Sequence, residues 1–115
     1  MEEYKPTILI VDDNPRNLKL VGILLRDSNY NFYMADDGQS ALEVVEKTLP
    51  DLILMDVMMP EMDGYEACKR LKANPKFADI PVIFLTAKVD SEDLVKGFAM
   101  GGVDYIKKPF GKEEL

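Results

Sequence analysis

Short apolar runs alternate with amphipathic segments along this chain, and this alternation constrains the fold more than any other feature of the sequence. Three of the runs are short and strongly apolar, at 7–11, 51–55 and 81–85. Such runs are typical of strands that are buried on both faces of a parallel sheet. Two more mixed segments, 31–35 and 103–106, predict weaker or edge strands.

Four segments between these runs have apolar residues at the spacing of a helix that faces a core. The first begins with an N-cap residue, Asn14, followed by a proline at the first helical position, Pro15. Strands that alternate with helices in this way predict βα units around a parallel sheet. We therefore predict a doubly wound α/β fold. The apolar positions of the predicted helices are Leu18, Val21, Leu24 and Leu25; Ala41, Val44 and Val45; Tyr65, Cys68 and Leu71; and Leu94, Gly97 and Phe98.

The last βα unit is incomplete. Residues 111–115 are predicted to begin a helix, whereas a helix normally needs ~10 residues to cover a strand. We predict a single domain over 1–115 with a truncated last helix. We also expect that the chain was cut from a longer protein, or that this flank of the sheet meets a partner.

The composition argues against several kinds of function. The chain has 21 acidic and 14 basic residues, a formal charge of −7, which argues against nucleic acid as a direct partner. It has no histidine, so histidine cannot serve as a general base or a metal ligand. The single cysteine, Cys68, cannot form an internal disulfide and is predicted to be a small core residue. A signal peptide and an apolar run of ~18 residues are both missing, so we expect no membrane partner and a cytoplasmic location.

Residues able to do chemistry follow the predicted strands. In an open parallel sheet, ligands bind beyond the carboxyl ends of the strands. Carboxylates ~4 Å apart repel by about 4 kcal/mol per pair at an effective dielectric constant of 20. A hard divalent cation removes that conflict, and Mg²⁺ prefers oxygen ligands. The strand-end residues are Asp12 and Asp13, Asp56, Thr86 and Lys108.

Asp56 is the candidate nucleophile of this group. It follows the most apolar run and precedes the loop 57–64. A carboxylate in that place can attack a phosphoryl group and form an aspartyl phosphate. Phosphoryl transfer depends mainly on positioning and charge neutralisation, which Mg²⁺, the Lys108 ammonium and the Thr86 hydroxyl are able to supply.

These residues stand in motifs that resemble those of the receiver domain of two-component response regulators, over about residues 7–110. The resemblance implies a flavodoxin-like fold, a five-stranded parallel sheet in the order 2-1-3-4-5, and a role in phosphorelay signal transduction. The motifs are Ile-Val-Asp12-Asp13, Leu-Met-Asp56-Val-Met-Met-Pro60-Glu-Met-Asp63-Gly64, Phe-Leu-Thr86-Ala87 and Gly-Val-Asp-Tyr105-Ile-Lys-Lys108-Pro109-Phe110.

The resemblance also implies which residues handle phosphate and metal. Asp56 would take the phosphoryl group from a histidine kinase or a phosphotransfer protein. Asp13, Asp56 and the backbone carbonyl of Met58 would bind Mg²⁺ directly, with Mn²⁺ as a substitute. Asp12 would act on the ion mainly through water. Lys108 would contact the phosphoryl group.

A switch is implied by the same resemblance. Lys108 would be joined to Pro109 by a cis peptide bond, which an X–Pro sequence permits. Thr86 and Tyr105 would form a switch pair, with the hydroxyl moving towards the phosphate and the ring turning inwards. About two added negative charges at Asp56 suffice to bias such a pair. The altered surface would then bind a downstream output domain or protein.

Other functions fit part of the pattern. A small phosphohydrolase with an aspartyl-phosphate intermediate also uses a strand-end aspartate, but the haloacid-dehalogenase type has Asp-x-Asp after its first strand, where this chain has Asp12-Asp13. A phosphate-independent interaction module is expected to lack the acceptor Asp56 or Lys108. Tyr105 and Thr86 also fit ordinary strand residues. We expect a phosphoacceptor switch with no enzymatic activity beyond self-phosphorylation from small donors and slow autodephosphorylation.

Overall fold

The structure, a computed structural model, describes residues 6–25, 30–57, 59, 61–86 and 104–107. Five parallel strands form one sheet in the order β2-β1-β3-β4-β5, the order that was predicted. The predicted fourth helix and the short last helix lie outside the described residues. The elements are β1 (Thr7–Val11), α1 (Pro15–Leu25), β2 (Asn31–Ala35), α2 (Gly38–Thr48), β3 (Leu52–Asp56), α3 (Gly64–Lys72), β4 (Val82–Thr86) and β5 (Asp104–Lys107).

The strand boundaries agree with the prediction for β1 and β2, whereas β3, β4 and β5 each begin and end one residue later. For β4 the physical reason is Pro81, which has no N–H to give to the ladder and contributes only its carbonyl, to the Ile53 N–H at 3.0 Å. As a result, Asp56 and Thr86 are the last residues of their strands. The sheet itself therefore fixes the backbone of both residues.

Side chains cap the starts of all three described helices. α1 begins at Pro15, as predicted, and the Asn14 Oδ1 accepts from the Arg16 N–H at 2.9 Å. Asp37 accepts from the Ser40 N–H at the start of α2, and Asp63 does the same for α3 at 2.8 Å from the Glu66 N–H. Each cap of this kind contributes about 1 kcal/mol to stability.

The core lies on both faces of the sheet, and the central strands β1, β3 and β4 are accordingly apolar except for one residue at an end of each. Val21 of α1 packs with Ile8 and Ile10 on one face. Leu9 and Val11 point to the other face, where α2 and α3 supply their apolar residues. The doubly wound arrangement predicted from the sequence is confirmed. In the part of the chain that the structure describes, no helix has the length and apolar character that crossing a membrane requires.

Cys68 is a core residue of α3, as predicted, with 0% of its surface exposed. Burial raises the pKa of the Cys68 thiol from 9.0 to about 11, and the nearby Lys72 ammonium offsets only part of that increase. The thiol is therefore protonated in the folded protein at neutral pH. This protonation makes Cys68 a poor nucleophile.

We expect Cys68 to make the free energy of unfolding fall as the pH rises from 9.0 towards about 11. In this range the unfolded chain loses the thiol proton while the folded chain keeps it, so rising pH favours the unfolded chain. Below pH 9.0 the thiol is protonated in both states, so the contribution of Cys68 to the free energy of unfolding is fully present. Urea denaturation of the wild type and Cys68→Ala across this range measures the effect. The variant should lose stability less steeply, and equal slopes would contradict the prediction.

Candidate functional site

Three carboxylates meet at the carboxyl edge of the sheet. Asp12, Asp13 and Asp56 each offer an oxygen within 4.8 Å of the others. Asp12 follows β1 and Asp56 ends the neighbouring β3, and the register pairs Val11 with Met55, so the two strands finish side by side. The predicted meeting of these three side chains is confirmed.

The cluster combines burial with like charge. Asp12 is 1% exposed and Asp56 is 4% exposed, while Asp13 is exposed to solvent. Two unit charges ~5 Å apart repel by about 3 kcal/mol at an effective dielectric constant of 20. Oxygens that bind one Mg²⁺ directly at ~2.1 Å are at most ~4.2 Å apart, and a carboxylate that acts through a metal-bound water lies further away. Three oxygens within 4.8 Å of one another are therefore close enough to serve one ion. The donor set and its spacing fit Mg²⁺, and exposed Asp13 leaves the site open to solvent.

Asp12 is held in place by its neighbours. Its Oδ1 accepts from the backbone N–H of Asn14 at 2.9 Å, and its Oδ2 accepts from the Asn17 Nδ2 at 3.1 Å. Its own N–H donates to the Ala35 carbonyl of β2 at 3.1 Å. No role at the site was predicted for Asn17 from the sequence. The sequence does place Asn17 in the first turn of α1, the helix that begins two residues after the strand-end aspartates. That position was the available signal for a role at the site.

Gly64 is a second residue whose role at the site was not predicted from the sequence. It is the first residue of α3, and its N–H donates to the Val57 carbonyl at 3.0 Å, which closes the loop after β3. A Cβ at Gly64 would lie 2.2 Å from the carbonyl oxygen of Asp56. The helix start thus packs directly on the backbone of Asp56, and only glycine permits that approach.

The other predicted site residues are only partly described. Thr86 is the last residue of β4 and is paired with Lys107, and Tyr105 lies in β5 opposite Phe84. Asp56 is opposite Leu85, the residue before Thr86, so the backbone of Thr86 lies at the same edge of the sheet as the carboxylates. The predicted roles of Lys108, Pro109 and Met58 concern residues outside the described part of the chain, and they stay predictions.

Comparison with known proteins identifies the family. Residues 8–115 match the response regulator receiver domain. The chain belongs to this family. The DNA-binding dual master transcriptional regulator RpaA of Synechocystis is 42% identical over 110 residues, covering 96% of this chain and 46% of RpaA. The DNA-binding response regulator MtrA of Mycolicibacterium smegmatis is 38% identical over 115 residues, covering 100% of this chain and 49% of MtrA. The chain thus spans about half the length of these relatives.

Solved receiver structures agree with the fold. The chemotaxis protein CheY4 of Vibrio cholerae has a TM-score of 0.93 at 32% identity, covering 96% of this chain and 92% of CheY4. The receiver domain of the sensor histidine kinase PA1611 of Pseudomonas aeruginosa has a TM-score of 0.87 at 34% identity, covering 96% of this chain and 91% of that domain. That structure holds a magnesium ion in its active-site cleft.

These comparisons confirm the flavodoxin-like receiver fold and the assignment to two-component signal transduction. Receiver domains are in general phosphoacceptors and not enzymes, and they bind Mg²⁺ at an acidic site. In this chain, Asp12, Asp13 and Asp56 form an acidic cluster whose spacing would allow it to hold a metal ion.

Proposed function

We propose that this receiver domain accepts a phosphoryl group on Asp56 in a Mg²⁺-dependent phosphorelay. The observation that carries the proposal is the cluster of Asp12, Asp13 and Asp56 within 4.8 Å, with two of the three buried, in a chain of the receiver family. Asp56 is the best-placed acceptor, because it ends the central strand β3. It is paired with Leu85 of β4, and the preceding residue, Met55, is paired with Val11 of β1.

The chemistry is a displacement at phosphorus. A side-chain oxygen of Asp56 attacks the phosphorus of a phosphohistidine on a histidine kinase or phosphotransfer protein. The P–N bond breaks, the electron pair stays on the imidazole, and an aspartyl phosphate remains on Asp56. Asp13, Asp56 and the Met58 carbonyl would hold Mg²⁺ directly, and Asp12 would act through water. When bound, the ion offsets the negative charge of the phosphoryl oxygens.

The remaining site residues complete the proposal. Lys108 would contact the phosphoryl group, and we propose a cis peptide bond between it and Pro109. The Thr86 hydroxyl would donate to a phosphoryl oxygen. Phosphorylation adds about two negative charges, which draws Thr86 towards the phosphate and turns Tyr105 inwards. The changed surface then binds a downstream output domain or protein. We propose no direct contact between this chain and nucleic acid, in view of its charge of −7.

Small phosphodonors test this proposal without the cognate kinase. The protein is incubated with phosphoramidate or acetyl phosphate and Mg²⁺, and its intact mass is followed over time. We expect a single phosphate adduct with Mg²⁺, none after chelation, recovery with Mn²⁺, and slow loss of the adduct. An adduct that chelation does not affect would contradict the metal dependence. Steady release of inorganic phosphate from a phosphate ester, at a rate faster than the loss of the adduct, would indicate a phosphohydrolase instead.

A further inference from the structure

The carboxylate of Asp12 receives a hydrogen bond on each of its two oxygens from the start of α1. The backbone N–H of Asn14 donates to Oδ1 at 2.9 Å, and the Asn17 side chain donates to Oδ2 at 3.1 Å. We infer that Asn17 is a positioning residue of the metal site, acting through Asp12. The inference rests on the proposed function, because it concerns the affinity of the same site for Mg²⁺.

The geometry gives Asn17 a specific task. The backbone of Asp12 is already fixed by its hydrogen bond to the Ala35 carbonyl of β2. The Asn14 N–H belongs to the turn that leads into α1, and it donates to the Oδ1 of Asp12. Asn17 lies one turn further along and is half-buried, and it donates to the other oxygen. Donors on both oxygens restrict the rotation of the carboxylate more than donors on one oxygen do.

An asparagine suits this position because its carboxamide donates without adding charge. A lysine in the same place would also neutralise Asp12 and weaken its attraction for a cation. Asn17 orients the carboxylate and leaves its negative charge available to the ion.

Loss of this hydrogen bond is expected to weaken Mg²⁺ binding. Removal of a partner that orients a metal ligand typically lowers metal affinity by 10–100-fold. Asp12 acts on the ion mainly through water, so we expect the lower end of that range, a roughly tenfold weaker affinity in Asn17→Ala. Alanine favours helix more than asparagine does, so the same substitution should not weaken α1 through its backbone preference.

The test is a Mg²⁺ titration of the whole chain, followed by amide chemical shifts, for the wild type, Asn17→Ala and Asn17→Leu. Leucine has the same number and branching of heavy atoms as asparagine and donates no hydrogen bond, so it separates loss of the donor from loss of the whole side chain. Gln39→Ala is the matched control, because it removes an exposed carboxamide from the first turn of α2. A second readout is the rate of phosphoramidate labelling at increasing Mg²⁺.

We expect both Asn17 variants to bind Mg²⁺ about tenfold more weakly than the wild type and Gln39→Ala. Their labelling rate should recover to the wild-type value at saturating Mg²⁺, which a distorted fold would not allow. Wild-type affinity in both variants would overturn the inference and leave the proposed function intact. Loss of folding in both variants would assign Asn17 a structural role and also overturn it. A wild type that binds no Mg²⁺ would overturn the metal site together with this inference.

Discussion

Asp56→Asn is expected to abolish the phosphate adduct that the wild type forms with small donors and Mg²⁺. An amide oxygen is a far weaker nucleophile than a carboxylate, and the substitution also removes one of three negative charges from the ion site. Asparagine has nearly the same shape as aspartate, so we expect β3 and its packing to persist. Intact-mass spectra measure the adduct, and far-UV circular dichroism measures the fold.

The matched control for this variant is Asp36→Asn. Asp36 follows β2 at the same edge of the sheet and is exposed. Among the described residues, the carboxylates that could share one ion are those of Asp12, Asp13 and Asp56, so Asp36 lies outside that group. The control should be labelled like the wild type. Full labelling of Asp56→Asn would instead place the acceptor at another residue.

Gly64→Ala is expected to lower the free energy of unfolding by about 2–3 kcal/mol, at the upper end of the cost of overpacking. The added Cβ would lie 2.2 Å from the carbonyl oxygen of Asp56 and 3.0 Å from Met55 Cγ. The first of these atoms belongs to the backbone of a central strand and cannot move aside as a flexible side chain can. Because relief of the clash shifts Asp56 itself, phosphorylation should slow as well. Urea denaturation and the labelling time course measure the two effects.

Gly22→Ala is the control for Gly64→Ala. A Cβ at Gly22 would meet the terminal methyl of Met34 at 3.0 Å, and that side chain can rotate away. Gly22 also lies inside α1, where alanine is favoured over glycine by about 1 kcal/mol. We expect this control to be neutral or stabilising. A Gly64→Ala protein as stable as the wild type would contradict the close packing of α3 on Asp56.

The sheet and the three carboxylates could be predicted because both follow from local patterns. Apolar runs of five residues are long enough to mark each strand, and strand-end polar residues share one edge of a parallel sheet. Asp12, Asp13 and Asp56 therefore needed no tertiary information to be placed together. The family motifs added the sheet order, which periodicity alone does not specify.

The contacts that refine the site could not be predicted in this way. The hydrogen bond from Asn17 to Asp12 depends on the angle at which α1 leaves β1, and the approach of Gly64 to Asp56 depends on the path of a loop. The end of α2 could not be predicted from a glycine either. Leu49 occupies the left-handed position at this helix end, with φ of 47°. Non-glycine residues rarely adopt it, so the sequence did not mark this helix end.

The most direct test of the account is to locate the phosphoryl group on the chain. Wild-type protein is labelled with phosphoramidate and Mg²⁺ and then reduced with borohydride, which converts an aspartyl phosphate to homoserine. Tandem mass spectrometry of the proteolytic peptides then identifies the altered position. The account predicts homoserine at position 56 in a Mg²⁺-dependent amount. Homoserine at Asp12, at Asp13 or at another aspartate, with Asp56 unchanged, would contradict it.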